Sequence, residues 1–317
     1  MILGFDTIKK ITCGAHLVEE VDGAFRFYKC TEKQHQAWLG HSQTLGDRAV
    51  TTTGVRLDFK TNSSSVSFET VSGGSFELKI NGNLRCKLAQ GKHTVALTNE
   101  RKDALDCARI TLVFPSHSVG SIKNVEVDDG AYVEPVCYDK RFLFIGDSIT
   151  QGYNSSYHVA SYAWRVIDYY DADAIINGIG GAFYAADTFD VPAFDPDVIF
   201  IAYGTNDFGR GGVTMDEKRE EICSYLDLVK ENYADKKVIV ISPIYRCTAD
   251  GTPMSAEFDA FRLYIENETE KRGFNAISGL SLVPPIKEMY ADGTLHPNDL
   301  GFAYYAESLL RKIKDII

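Results

Sequence analysis

The first 137 residues show the hydrophobic period of β-strands. Apolar and polar residues alternate in several short segments, as expected for strands with one buried face. The pattern predicts half-buried strands at 55–60, 66–69, 76–80 and 94–97, and a more buried strand at 110–114. Turn signals separate these segments, and the pattern predicts no helix of three turns. Many short strands at close spacing favour an antiparallel sandwich or jelly roll.

Residues 138–317 alternate instead between buried strands and amphipathic helices. We predict strands at 141–145, 174–177, 197–202, 237–241 and 275–278. Thr214 begins a capping box for a helix over 216–232, Ser255 is the predicted cap of the next helix, and Asp299 is the predicted cap of the last. Strand–helix alternation predicts a parallel sheet covered by helices on both faces. In such sheets, sites form beyond the carboxyl ends of the strands.

Length and charge agree with two parts of different kinds. The chain has 317 residues, enough for two domains. Residues 1–137 contain equal numbers of basic and acidic residues, so the whole net charge of −11 lies in residues 138–317. We therefore predict a β-sandwich or jelly-roll domain at 1–137 and an α/β catalytic domain at 138–317.

Composition excludes several classes of partner. The acidic balance argues against nucleic acid or an anionic membrane, and no apolar run is long enough for a membrane span. The first residues lack the features of a signal peptide, so we expect a cytoplasmic protein. The seven cysteines are odd in number and show no C-x-x-C spacing, which predicts reduced thiols and no zinc site. The sequence leaves the oligomeric state open.

Chemically active residue types follow the predicted strands of the second part. Ser148 comes after the first strand at a helix start, and Asn206 follows the third strand. Glycines at 178–181 follow the second strand, and Asp292 and His296 precede the last helix. Each residue alone has a structural reading, for example a helix cap or a turn. Together they supply a nucleophile, a base, an orienting acid and donors for an oxyanion.

The four blocks resemble the SGNH/GDSL hydrolase superfamily over about residues 140–317. Gly146-Asp147-Ser148-Ile149 matches its first block, and the others are matched by Gly178 to Gly181, Gly204 to Asp207, and Asp292 with His296-Pro297. The resemblance implies a flavodoxin-like, doubly wound parallel sheet and a serine esterase. It further implies a catalytic triad of Ser148, His296 and Asp292. The implied oxyanion hole consists of Ser148, Gly181 and Asn206, with no metal or organic cofactor.

One departure from the family leaves an alternative open. The family spacing is D-x-x-H, whereas four positions separate Asp292 from His296 here. Either Asp292 or a backbone carbonyl therefore orients His296, and in the second case the catalytic unit is a Ser–His dyad.

The order of the two parts is similar to that of certain carbohydrate esterases, which have a jelly roll before the SGNH domain. This resemblance implies removal of short acyl groups, above all acetyl, from sugars or oligosaccharides. Two alternatives stay open. One is a lipase or acyl-thioesterase of the same superfamily, and the other is an inactive carbohydrate-binding protein.

Four aromatic residues near the predicted strand ends are candidates for substrate binding: Tyr153, Phe183, Phe208 and Tyr245. Aromatic faces suit sugar rings, although any one of these side chains could instead pack beneath the site. Trp38 in the first part could also be a sugar platform, with a place in the core as the favoured alternative.

Overall fold

The computed structural model describes residues 1–71, 73–98 and 105–317. The strands are β1 (Thr12–Cys13), β2 (Leu17–Val21), β3 (Ala24–Tyr28), β4 (Arg56–Thr61), β5 (Ser65–Thr70), β6 (Phe76–Ile80), β7 (Asn83–Leu88), β8 (Gly91–Ala96), β9 (Ala108–Val113), β10 (Ser121–Val127), β11 (Val133–Pro135), β12 (Arg141–Gly146), β13 (Asp173–Gly178), β14 (Val198–Ala202), β15 (Lys237–Ile241) and β16 (Asn275–Ile277). The α-helices are α1 (Phe5–Ile11), α2 (Glu32–His41), α3 (Gln43–Ala49), α4 (Ser148–Gln151), α5 (Tyr162–Tyr170), α6 (Thr205–Gly209), α7 (Met215–Asn232), α8 (Ala256–Lys271) and α9 (Asp299–Ile313). Short 3-10 helices lie at His158–Ala160, Ala186–Thr188, Gly279–Ser281 and Lys287–Met289.

The N-terminal strands form two antiparallel sheets, which confirms the predicted sandwich. One sheet has the order β1-β4-β9-β6-β7, with β11 paired to β4, and the other has the order β2-β3-β10-β5-β8. One hydrophobic core joins them, with Phe27 and Phe68 from one sheet and Leu57 and Phe76 from the other. The alternating pattern therefore located this core correctly.

The same pattern was wrong about the outer face of one sheet. We predicted that β4 and β6 are half-buried, but their polar side chains are buried too, except that of Lys60. Arg56 donates to the Ala172 carbonyl at 2.8 Å, and Lys79 pairs with Asp168 at 2.6 Å. The polar face of this sheet thus packs against the α/β part, a contact that alternation within one strand cannot reveal.

Asp58 is the central anion of this polar face, and we expect the Asp58→Ala variant to be strongly destabilised. Its carboxylate is 1% exposed and accepts two bonds from Arg109, at 2.8 and 2.9 Å. Arg56 is also buried, with its Nε 3.6 Å from Asp58. Removing one partner of a buried ion pair costs about 3–5 kcal/mol, since it leaves an uncompensated charge. Denaturant unfolding measures the loss. Lys60→Ala, an exposed change on the same strand, is the control, and equal stability of both variants would contradict the prediction.

The second part is built on a parallel sheet of order β13-β12-β14-β15-β16. Successive residues of β12 point to opposite faces, so Leu143 and Ile145 belong to one core and Phe142 and Phe144 to another. Residues of α7 and α8 cover the first face, and residues of α5 and α9 cover the second. This is the predicted doubly wound arrangement.

Helix starts were predicted with mixed success. Thr214 caps α7 in a complete capping box with Glu217, as predicted. Ser255 occupies the cap position of α8 without a side-chain cap bond. The prediction for the last helix was wrong, because Asn298 is the cap and accepts from Leu300 and Gly301. The Asp299 carboxylate instead accepts from the Ser156 N–H at 2.7 Å.

Helices α2 and α3 were not predicted. The sequence of α2 has no apolar stripe of the kind that reveals a helix. Accordingly, only Gln34 and Trp38 of this helix are buried. Trp38 belongs to the core of the parallel sheet together with Leu45 and Ala49 of α3, and Trp38 is therefore no surface platform for sugars. The boundary at residue 137 stays a prediction. Among the described residues, no helix combines the length and hydrophobicity needed to cross a membrane.

Candidate active site

Ser148 lies where β12, an inner strand of the parallel sheet, turns into a helix. β12 ends at Gly146, and α4 begins at Ser148. The helix cap is Asp147, whose side chain accepts from the Ile149 N–H, so the Ser148 hydroxyl is not used for capping. The Ser148 side chain is only 7% exposed, and its Oγ lies 2.8 Å from Nε2 of His296. The alternative interpretation of the sequence, in which Ser148 caps the helix, is therefore wrong.

His296 is held from its other ring nitrogen by Asp292. The distance from Nδ1 of His296 to Oδ2 of Asp292 is 2.6 Å. The other carboxylate oxygen accepts from the backbone N–H groups of Thr294 and Leu295, at 2.9 and 2.8 Å. This tight loop accommodates the additional residue between Asp292 and His296. The structure thus brings together the three side chains that the sequence proposed as a triad.

The loop also keeps Asp292 ionised. Partial burial acts to raise the pKa of its carboxyl, but hydrogen bonds from Leu295, Thr294 and His296 outweigh burial and lower the pKa to about 2. A carboxylate at this place favours the ring tautomer with the proton on Nδ1, which leaves Nε2 free to accept the Ser148 proton.

The proposed oxyanion donors lie on the neighbouring strand ends. Gly181 follows β13 with a φ of +88°, a conformation that side chains other than glycine rarely adopt. The Asn206 amide donates to the Ala182 carbonyl at 2.9 Å, which uses one of its two hydrogens and leaves the second. Ser148 is the first residue of α4, so its N–H has no acceptor within the helix.

Residues that the sequence analysis missed contact the glycine loop. The carbonyl of Gly180 accepts from Nη1 of Arg48 at 2.7 Å, and its N–H donates to Oε1 of Gln151 at 2.8 Å. A side chain at Gly178 would place its Cβ 2.4 Å from the backbone nitrogen of Gln151, so this glycine permits the close approach of β13 and α4. No sequence signal singled out Arg48, because it belongs to the unpredicted helix α3.

The four aromatic candidates have different surroundings. The Tyr153 ring lies 5.5 Å from the His296 ring, and the ring of His117 lies 4.9 Å beyond Tyr153. Phe183 is buried with its ring 5.7 Å from Trp38. The others also have packing partners within the protein, Phe258 for Phe208 and Tyr290 for Tyr245. Tyr153 is thus the aromatic candidate adjacent to His296, and His117 extends this surface into the N-terminal part.

Two carboxyl groups, those of Asp147 and Asp207, are buried beside the same strand ends. Burial raises the pKa of Asp147 and of Asp207 to about 7. One oxygen of Asp207 accepts from the Tyr184 N–H at 2.9 Å, and the other is buried without a hydrogen-bond partner among the described residues. A neutral carboxyl at this position avoids a buried charge.

Asp207 should therefore make the fold sensitive to pH. Between the usual carboxyl pKa of 3.8 and about 7, the folded chain retains a proton that the unfolded chain has released, so stability falls as pH rises. Each unit of pKa difference corresponds to about 1.4 kcal/mol. We expect Asp207→Asn to lose less stability than wild type between about pH 4 and about pH 7. Denaturant midpoints at both pH values measure this, and parallel losses in the two proteins would contradict it.

Comparisons with known proteins agree with this geometry. A family model described as the GDSL-like lipase/acylhydrolase family matches residues 144–304. The chain is similar to the solved structure of a salicylyl-acyltransferase from a tetracycline biosynthetic pathway, with 18% identity over 96% of this chain and 94% of that chain, and a TM-score of 0.77. It is similar to a family two carbohydrate esterase from Cellvibrio japonicus, with 15% identity over 98% and 96% of the two chains and a TM-score of 0.67.

A family two carbohydrate esterase from Clostridium thermocellum, solved in complex with cellohexaose, is 19% identical over 83% of this chain and 93% of that chain, with a TM-score of 0.61. At such identities these likenesses show a common fold. No curated protein sequence gives a match.

Proposed function

The chain belongs to the GDSL-like lipase/acylhydrolase family, and we propose that it is a serine esterase that removes acetyl groups from carbohydrates. The observation that carries this proposal is the contact of 2.8 Å between Oγ of Ser148 and Nε2 of His296. A hydroxyl in contact with an imidazole is the arrangement that activates a serine for attack on an acyl carbon.

The proposed reaction passes through an acyl-enzyme. His296 accepts the proton of Ser148 while Oγ attacks the ester carbonyl, and the carbonyl oxygen becomes an oxyanion. The backbone N–H groups of Ser148 and Gly181 and the Asn206 amide bind this oxygen. His296 then protonates the leaving alcohol as the C–O bond breaks. Water, deprotonated by His296, attacks the acyl-enzyme, and collapse of the second tetrahedral intermediate releases the carboxylic acid and returns the proton from His296 to Ser148.

Asp292 is proposed as the third member of a triad. Its carboxylate is 2.6 Å from Nδ1 of His296, which supports this role over the alternative in which a backbone carbonyl orients the ring. The contact stabilises the imidazolium that forms during both proton transfers.

Two features support a small acyl group on a sugar. Helix α3 covers the glycine loop closely, since a Cβ at Gly181 would lie 3.5 Å from Leu45 and 3.2 Å from Arg48. This crowding favours a short acyl chain. Beside His296, the half-buried Tyr153 and the exposed His117 offer rings on which a sugar could stack.

A series of esters tests this proposal. Purified protein is assayed with aryl acetate, butyrate and octanoate, and then with acetylated xylan and acetylated cello-oligosaccharides, with acetate release as readout. We expect kcat/KM to be highest for acetate and to fall roughly tenfold or more towards octanoate. A preference for octanoate would favour the lipase or thioesterase alternative. No turnover of any ester, together with binding of the unacetylated oligosaccharides, would favour the carbohydrate-binding alternative.

A further inference from the structure

We propose that Arg48, a residue of the N-terminal part, positions the oxyanion donor Gly181. This inference rests on the proposed esterase function and concerns the same site. Nη1 of Arg48 donates to the Gly180 carbonyl oxygen at 2.7 Å. A trans peptide group is planar, with its C=O and N–H pointing in opposite directions. Fixing the Gly180 carbonyl therefore fixes the direction of the Gly181 N–H.

The peptide group between Gly180 and Gly181 needs this restraint because it lies beyond the paired residues of the sheet. Pairing between β12 and β13 ends at Gly146 and Gly178, two residues before Gly180. Glycine has the widest choice of backbone conformations, so the 180–181 pair has little intrinsic preference for the observed arrangement. Preorganised donors contribute to catalysis only when they are held in place before the reaction.

Gly180 is held from both sides. Its N–H donates to Oε1 of Gln151 at 2.8 Å, while Arg48 binds its carbonyl. The Arg48 side chain also lies directly over the loop: an added Cβ at Gly180 would be 3.4 Å from Cδ of Arg48. The two side chains together form a clamp on one residue, and we call Arg48 and Gln151 the Gly180 clamp.

Hydrogen bonds connect the Gly180 clamp to the N-terminal part of the chain. The amide of Gln151 donates to the Ser116 carbonyl at 2.9 Å and to the Thr51 hydroxyl at 3.3 Å. The fully buried Lys29 donates to Thr51 at 3.0 Å and to the Gly178 carbonyl at 2.8 Å. The glycine loop thus rests on segments that precede the family-matched region, which gives the N-terminal part a role inside the active site.

Arg48 makes a larger contribution than a neutral donor would. A guanidinium group carries a full positive charge, and charge-assisted hydrogen bonds are shorter and stronger than neutral ones. The positive charge lies one peptide group away from the site of the developing negative charge. It therefore both orients the Gly181 N–H and polarises it.

The test uses three variants of α3. Arg48→Met retains the aliphatic cover over the loop and removes the guanidinium, and Arg48→Lys retains the charge. Asp47→Ala is a control on the same helix, since the exposed Asp47 side chain accepts a hydrogen bond from Gln43. We expect kcat of Arg48→Met to fall roughly ten- to a hundredfold, less than the loss on deleting an oxyanion donor. KM should stay within about twofold, because the donor acts in the transition state. Arg48→Lys should recover part of kcat.

A second readout separates positioning from general stability. A trifluoromethyl ketone forms an oxyanion on the active-site serine, so its affinity should fall in Arg48→Met in proportion to kcat/KM, while the melting temperature stays near that of wild type. In a fourth variant, Arg48→Ala, added methylguanidine should restore part of the lost activity. Should Arg48→Met fold poorly, Arg48→Lys and this rescue still test the claim.

Two results would overturn the inference in different ways. If wild type shows Ser148-dependent turnover and Arg48→Met matches Asp47→Ala in kcat and in ketone affinity, Arg48 has no positioning role and the esterase proposal stands. If wild type shows no Ser148-dependent turnover, the esterase proposal itself fails, and the role of Arg48 fails with it.

Discussion

Replacing Ser148 by alanine should abolish measurable ester hydrolysis, with kcat reduced by roughly 10⁴- to 10⁶-fold. The variant lacks the atom that forms the acyl-enzyme, and His296 loses its hydrogen-bond partner at 2.8 Å. Residual catalysis would come only from the oxyanion donors and from substrate binding. The measurement is kcat for aryl acetate at saturating substrate, with the fold checked by circular dichroism and thermal unfolding.

A control variant at a second serine tests whether this loss of activity is specific to Ser148. Ser281→Ala removes an exposed hydroxyl that donates to the Ser278 carbonyl, far along the chain from Ser148, and should retain wild-type kcat. Substantial activity in Ser148→Ala would show that another group attacks the ester. It would sink the acyl-enzyme mechanism at this residue.

Replacing Asp292 by asparagine should lower kcat by roughly 10²- to 10⁴-fold. The asparagine amide can donate to Nδ1 of His296, which moves the ring proton to Nε2 and leaves no base for Ser148. Asp292→Ala should be less damaging than Asp292→Asn, because an unpartnered ring can still adopt the productive tautomer. This order of the two variants is the signature of a triad.

The dyad alternative gives a different result. If a backbone carbonyl orients His296, both Asp292 variants should retain kcat within about tenfold of wild type. Asp250→Asn is a suitable control, since Asp250 is an exposed aspartate in a similar turn and accepts from the Thr252 N–H. Because the pKa of Asp292 is lowered to about 2, the carboxylate is ionised at every pH used for the assay, and the variants can be compared at one pH.

The sequence predicted the elements whose burial follows a simple period. Leu143 and Phe144 lie on opposite faces of the parallel sheet, as a run of buried residues between turns suggests. The Thr214 capping box is a purely local motif and was confirmed. The meeting of Ser148 with His296 also follows from chain order, since Ser148 begins a helix and His296 precedes one at the carboxyl edge of the same parallel sheet.

The remaining features depend on contacts between distant segments. The polar face of β4 is buried because Arg56 finds the Ala172 carbonyl, 116 positions away. Helix α2 lacks an apolar stripe, although its capping box of Thr31 and Gln34 was a local signal that could have located its start. Arg48 carries no motif at all, because its position at the glycine loop is set by the packing of α3 on the parallel sheet.

The acyl-enzyme is the most direct test of the whole account. Wild type and the Asp292→Asn variant, in which deacylation should be slow, are mixed with aryl acetate, quenched in acid within the first turnovers and analysed by mass spectrometry after proteolysis. The account predicts a mass increase equal to one acetyl group on the peptide that contains Ser148, and none in Ser148→Ala. An acetyl group on another residue, or turnover with no covalent adduct under conditions that trap other serine esterases, would contradict it.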